Sequence, residues 1–188
     1  MLTFRPLGPE TFDDFARMHE KSECQGCFCM YWHFAGDNRA WQLAQPGENR
    51  EAKRALVMEG RTHGLLAYDG DAVVATVQFE PRDTLVKLTA RMPYRGLAPD
   101  PTTWSITCLR VLESHRKKGV ARALLDAAMA HLRMQLGATC IEAYPRRGDD
   151  LRDEEVWTGP ESLFVRAGFE VARDHEQYPV LRWGRSPT

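Results

Sequence analysis

A basic turn between a predicted strand and a predicted helix has the residues to bind an anion. Residues 109–125 read LRVLESHRKKGVARALL, and Gly119 opens the helix. A helix N-terminus presents unpaired N–H groups and a partial positive charge, which suit a phosphate. Glycine lets a phosphate approach the backbone closely. The turn therefore predicts phosphate binding; the alternative is a solvated basic turn before an ordinary helix.

A second stretch could bind a metal or act as a redox site. Residues 24–34 read CQGCFCMYWHF. Cys24, Cys27, Cys29 and His33 are zinc-ligand types, but structural sites usually combine ligand pairs from separate parts of the chain, and no second C-x-x-C pair exists. A redox role requires a lowered thiol pKa, for which the sequence gives no evidence. Packing into a pocket wall is the third interpretation.

These residues must be positioned by a mixed α/β (α+β) sheet. Apolar periodicity and turn residues predict the order β-α-α-β-β-β-α-β-α-β-β, with helices on both faces. The clearest helix covers residues 119–136, between strands at 104–112 and 137–145. A helix between two strands favours a right-handed βαβ crossover with parallel strands. No segment marks the boundary of a second domain, so residues 1–188 are expected to form a single domain.

Composition narrows the functional classes. The 188-residue chain has a formal net charge of -1, which argues against a nucleic-acid binder. No apolar run approaches the roughly 20 residues that span a bilayer, and no secretory signal is recognisable. The five cysteines are an odd number. Reduced thiols, and therefore a cytoplasmic location, are expected.

The turn and a later segment together resemble a known family. Arg116-x-x-Gly119-x-Ala121, after Leu109-x-Val111, resembles the acetyl-CoA signature of the GNAT acetyltransferases. ESLFVRAGFEV, at residues 161–171, is similar to the family's second landmark. GCFCMYW, WSITC and EAYP resemble a bacterial-type branch with a CxxCxCMYW acceptor loop. The resemblance implies a mostly antiparallel central sheet with a parallel βαβ cofactor unit.

The resemblance also implies where acetyl-CoA, the co-substrate, would bind. A V-shaped opening between the strands at Leu109 and Ile141 would hold the pantetheine arm, and the pyrophosphate would lie on the start of the helix. The implied cofactor residues are Leu109, Arg110, Val111, Arg116, Lys117, Lys118, Gly119, Val120, Ala121 and Arg122.

The implied reaction is acetylation of a primary amine, in a small molecule or peptide, by direct attack. A base must take a proton from the ammonium. Glu142 is the first candidate base. It lies in the middle of a predicted strand, where burying an unpaired carboxylate is costly, so its presence there needs a reason. A catalytic role is one such reason, and an ion pair with a basic residue is the alternative. Tyr144, on the same side of the strand, could be the acid. Glu80 is the second candidate base. Val165 occupies the position at which the family often has a Tyr that donates a proton to the leaving thiolate.

The resemblance assigns the cysteine-containing loop to the acceptor side of the site. The predicted acceptor wall consists of Phe28, Met30, Tyr31, Trp32 and Trp157, although aromatic residues of such a loop often only pack beneath it. Two other functions stay open: a catalytically degenerate acyl-CoA-binding module, suggested by Val165, and a metal- or thiol-sensing protein that uses Cys24, Cys27 and Cys29. No metal is assigned to the acetyltransferase, and a homodimer is compatible with the family.

Overall fold

One seven-stranded sheet organises the part of the chain that the structure, a computed structural model, describes, namely residues 1–21, 26–43 and 45–185. Its order is β1-β2-β3-β4-β5-β7-β6, and only β4 and β5 are parallel neighbours. The strands are β1 (Leu2–Pro6), β2 (His63–Asp69), β3 (Ala72–Pro81), β4 (Thr103–Val111), β5 (Cys140–Ala143), β6 (Glu170–Arg173) and β7 (Val180–Gly184). The predicted mixed, mostly antiparallel fold class is confirmed.

Six α-helices accompany the sheet within the described residues. They are α1 (Phe12–His19), α2 (Asn38–Leu43), α3 (Pro46–Met58), α4 (Val86–Ala90), α5 (Val120–Met134) and α6 (Glu161–Arg166). The sequence does not predict α2 and α4, because they are too short for an apolar period to show and α2 buries no residue. None of the helices described is long and apolar enough to cross a membrane.

The alternating side chains of β2 explain why helices cover both faces of the sheet. Leu65 and Ala67 belong to the core beneath α5, whereas Leu66 and Tyr68 belong to the core beneath α1. Successive strand residues point to opposite faces, so a strand whose central residues are all apolar needs a cover on each side. The sheet is therefore the middle layer of three.

Strands β4 and β5 separate part of the way along β4. They pair only between Thr103–Cys140 and Ile106–Ala143. Beyond this point, side chains and loops reach the open edge of β4. The indole N–H of Trp32 donates to the Thr107 carbonyl at 3.0 Å, and the Leu109 N–H donates to the Trp157 carbonyl at 2.9 Å. This split opens a cleft, which holds the candidate functional site.

Candidate active site

A groove of about 530 Å³ runs from the split towards the start of α5. Five of the ten predicted cofactor residues line it: Leu109, Arg110, Val111, Arg116 and Ala121. The others surround the turn without lining the groove. Lys118 donates to the Ser114 carbonyl, Arg122 pairs with Asp126, and Val120 is buried in the core. Lys117 has a left-handed backbone, with φ of 57°.

The start of α5 is suited to an anion. Gly119 precedes the helix with φ of 80°, a conformation that favours glycine, and no side-chain hydrogen bond caps the helix among the described residues. A β-carbon at Gly119 would meet no atom within 4 Å. Gly119 is exposed, and Arg116 and Ala121, on either side of it in the chain, both line the groove.

A covering segment, residues 152–157, lies along the groove. Asp153 forms an ion pair with Arg116, with 2.6 Å between Oδ2 and Nη1. Four residues later, the Trp157 carbonyl accepts the Leu109 N–H. The covering segment thus contacts a cationic side chain and a strand-edge donor, the two kinds of group that a phosphorylated, amide-containing ligand would use.

A second cavity, of about 330 Å³, adjoins the groove. Six of its fourteen lining residues are aromatic: Tyr31, Trp41, Tyr94, Tyr144, Trp157 and Tyr178. Arg110 and Trp157 line both the cavity and the groove. A ligand lying in the groove can therefore extend towards a molecule held between the aromatic walls, an arrangement suited to transfer of a group from one to the other. We call this second space the acceptor cavity.

Comparison with known proteins identifies the family to which this geometry belongs. The Acetyltransferase (GNAT) family model matches residues 19–152. The chain belongs to the GNAT acetyltransferase family. A comparison with curated proteins finds no match.

Solved GNAT structures share the fold at low identity. The PaiA N-acetyltransferase from Thermoplasma acidophilum, in complex with coenzyme A, has a TM-score of 0.61 at 10% identity, covering 98% of this chain and 99% of that one. Arabidopsis thaliana NAA60, in complex with acetyl-CoA, has a TM-score of 0.53 at 15% identity and coverages of 98% and 100%. The Escherichia coli ribosomal-protein-S18-alanine N-acetyltransferase has a TM-score of 0.54 at 13% identity and coverages of 100% and 96%.

Within this GNAT domain, Glu142 is fully buried in an ion-pair network. The Arg182 guanidinium donates to Oε1 at 2.7 and 3.1 Å, and the Arg82 guanidinium donates to both carboxylate oxygens at 3.3 Å. The Tyr144 hydroxyl donates to Oε2 at 2.9 Å. The structure thus has the pairing that is the alternative to a catalytic base, and Glu142 does not line the acceptor cavity.

Tyr144 does line the acceptor cavity of the GNAT domain. Its hydroxyl also lies 2.7 Å from Ser105 Oγ. Burial, followed by the charge of Glu142, raises the pKa of Tyr144 well above its ordinary value. The phenol therefore stays protonated at working pH. Val165, in contrast, is half exposed on α6 and does not line the cavity.

Glu80, the second candidate base, is also fully buried and multiply bonded. Oε1 accepts from the Thr62 hydroxyl at 2.6 Å, and Oε2 lies 3.1 Å from His63 Nδ1. Burial alone would raise the pKa of Glu80, but hydrogen bonds with His33 and His63 and the charge of Lys53 lower it to about 2. A carboxylate held this firmly ionised is a weak proton acceptor.

Only two of the five residues of the predicted acceptor wall line the acceptor cavity. Tyr31 and Trp157 line the acceptor cavity, with their ring centroids 5.4 Å apart. Phe28 and Trp32 are almost completely buried, Met30 is 9% exposed, and none of the three lines the cavity. Phe28 and Met30 pack in the core beneath α1, whereas Trp32 packs in a separate cluster with Leu85, Leu88, Tyr94 and Tyr144.

Three cysteines gather at the acceptor cavity. Cys27, Cys29 and Cys108 line it, and Cys29 Sγ lies 3.8 Å from Nε2 of the buried His19. A hydrogen bond with Cys29 lowers the pKa of Cys27 well below its ordinary value against the opposing effect of burial, and His19 adds to the lowering. A lowered thiol pKa is the property that a reactive cysteine needs.

The contacts of the loop differ from those that a zinc site would need. His33, one proposed ligand, lies 2.7 Å from Gln78 and 3.5 Å from Glu80. Cys24 lies outside the described residues. Among the residues that are described, no group of three or more His, Cys, Asp or Glu side chains is arranged to hold a metal ion.

The sequence does not predict several of the cavity residues. They are Trp41, Arg91, Tyr94, Arg146, Glu155, Thr158 and Tyr178. They come from separate stretches of chain, most of them loops or short turns without a motif. The Pro- and Gly-rich segment at residues 92–103 indicates a loop, but nothing in it indicates that Tyr94 faces the acceptor cavity.

Proposed function

We propose that this protein is an acyl-CoA-dependent N-acetyltransferase that moves an acetyl group from acetyl-CoA to a primary amine of a small molecule or peptide by direct attack. The observation that carries the proposal is the junction of the groove and the acceptor cavity at Arg110 and Trp157. A thioester carried along the groove would reach this junction, where an amine in the cavity could attack it.

The cofactor would be held by groups that the groove already presents. Pantetheine amides would pair with the open edge of β4, beginning with the Leu109 N–H. The pyrophosphate would accept hydrogen bonds from the first turn of α5 and an ion pair from Arg116. The chain itself needs only to exchange its own Trp157 and Asp153 contacts for those of the ligand.

The proton steps would use Tyr144 and water. Tyr144 lines the acceptor cavity and keeps its proton, so its hydroxyl would hydrogen-bond to the leaving thiolate; its raised pKa makes it a weak acid, and the thiolate would take its proton from water. Two nearby carboxylates, Glu142 and Glu155, are held by arginines. We therefore propose that Glu142 positions Tyr144 and that water accepts the proton of the substrate ammonium.

The first test is calorimetric titration with acetyl-CoA. Gly119→Glu is expected to abolish micromolar binding, because it places a carboxylate in front of the α5 N–H groups. The matched control is Gly137→Glu: Gly137 also has positive φ, 65°, and open space where a β-carbon would lie, but it follows the other end of α5. Loss of binding in both variants, or in neither, would contradict the placement of the cofactor.

Turnover separates the enzyme from its alternatives. Acetylated product from an amine panel supports the enzyme, whereas tight acetyl-CoA binding without any product would favour the degenerate module suggested by Val165. The sensing function predicts bound metal in protein purified without a histidine tag.

A further inference from the structure

Arg91 is a cation of the acceptor cavity that is held by aromatic rings. It follows α4 and is partly exposed. Its guanidinium carbon lies 4.7 Å from the ring centroid of Tyr178, 5.8 Å from that of Trp32 and 5.9 Å from that of Tyr94. Such contacts engage the face of a guanidinium and leave its N–H edges available for an oxyanion.

The acceptor cavity carries more positive than negative charge. Its lining contains three arginines, Arg91, Arg110 and Arg146, against one carboxylate, Glu155. Arg146 and Glu155 neutralise each other, with 2.5 Å between Nη1 and Oε1. Among the ion pairs of the described residues, none joins Arg91 to a carboxylate. Counting Cys27 as a thiolate, the cationic groups still outnumber the anionic ones.

A cavity of this kind would suit an acceptor with two different parts. Aromatic walls bury apolar surface or stack on a flat group, and they also tolerate a cationic amine. A fixed guanidinium recognises a carboxylate with two parallel hydrogen bonds, which a neutral or purely cationic amine cannot accept. The volume of about 330 Å³ is at the small end of ligand pockets.

We infer that the acceptor is a primary amine that also bears a carboxylate, as an amino acid does, and that Arg91 binds this carboxylate. The inference rests on the proposed N-acetyltransferase function and adds the substrate class and a specificity-determining residue. The amine would then lie between the aromatic walls, with its nitrogen directed towards the junction at Arg110 and Trp157.

The test compares acceptors that differ only in the carboxylate. L-phenylalanine is paired with phenethylamine, L-tryptophan with tryptamine, and L-lysine with cadaverine. Acetylated products are measured by mass spectrometry, because thiol reagents would also react with the protein's cysteines. We expect kcat/KM to be at least about tenfold higher for the carboxylate-bearing member of a pair, as befits a charge-assisted bidentate contact.

Variants connect this preference to Arg91. Arg91→Met should bring the ratio of kcat/KM within each pair close to one, chiefly through the KM of the amino acid, and Arg91→Lys should keep part of the preference. The control is Arg95→Met, a neighbouring exposed arginine that does not line the cavity.

Each outcome has a distinct meaning. Equal rates within the pairs, or an Arg91→Met variant that loses both members alike, would overturn the inference and leave the acetyltransferase standing. Acetyl-CoA binding without acetylation of any panel member would also overturn it. If the wild-type protein does not bind acetyl-CoA in calorimetry, the proposed function fails first.

Discussion

At the scale of single residues, Glu142 shows how burial decides a role. It carries its charge in the middle of a sheet because Arg82 and Arg182 approach it and Tyr144 donates to it. Removing one partner of a buried ion pair is costly, since it leaves the other charge buried without compensation. The Glu142 carboxylate is thus needed to compensate the charges of Arg82 and Arg182, whether or not it contacts a substrate.

We predict that Glu142→Gln lowers the free energy of unfolding by about 3–5 kcal/mol, because two arginines lose their common anion. Urea denaturation at pH 7 measures the change. The control is Glu161→Gln, which removes a partly exposed partner of Arg147 and should cost at most about 1 kcal/mol. A Glu142→Gln variant of normal stability with a shifted pH–rate profile would instead restore Glu142 as the base.

At the scale of elements, the covering segment and the groove compete for the same groups. Asp153 occupies Arg116, and the Trp157 carbonyl occupies the Leu109 N–H. Asp153 is largely exposed, so its ion pair with Arg116 is worth little to the stability of the fold. Its carboxylate would nevertheless repel a pyrophosphate at the start of α5.

We therefore predict that Asp153→Asn strengthens acetyl-CoA binding several-fold, because a charge repelling the phosphates is removed and Arg116 loses its closest carboxylate partner. Calorimetry at two salt concentrations measures the effect, and the gain should shrink at higher salt. Asp150→Asn, an exposed change in the same loop, is the control. Weaker binding by Asp153→Asn would mean that Asp153 holds Arg116 in its binding position.

The elements also show what can be predicted from the sequence. The turn at residues 116–119 and helix α5 are adjacent in the chain, so their spacing alone indicates an anion site beside a strand. Two apolar runs that flank Asp69-Gly70 predict the hairpin of β2 and β3. The acceptor cavity, however, brings Tyr31, Arg91 and Tyr178 together from distant loops. Their meeting depends on tertiary packing, for which no local pattern exists.

At the scale of the whole molecule, Glu80 connects elements that are far apart in sequence. Its carboxylate in β3 accepts from Thr62, which in turn accepts from Lys53 of α3, and it contacts His33 and His63. The acceptor-side loop, α3 and the sheet thus share one buried anion. A group on which so many elements depend should control stability towards acid.

The pKa of Glu80 sets the direction of this dependence. It lies at about 2 in the folded protein, below the ordinary 4.5, so the unfolded chain binds the proton more readily. The ionised carboxylate then stabilises the fold fully above pH 4.5, and this contribution, about 3 kcal/mol, is lost as pH falls from 4.5 towards 2.

Glu80→Gln removes this contribution at every pH. The difference in unfolding free energy between wild type and variant should therefore have its full value near pH 5 and shrink below pH 4.5, as measured by urea denaturation at each pH. Glu170→Gln, an exposed change on β6, gives the background. A difference that persists undiminished down to about pH 2 would show that Glu80 acts through packing rather than through its charge.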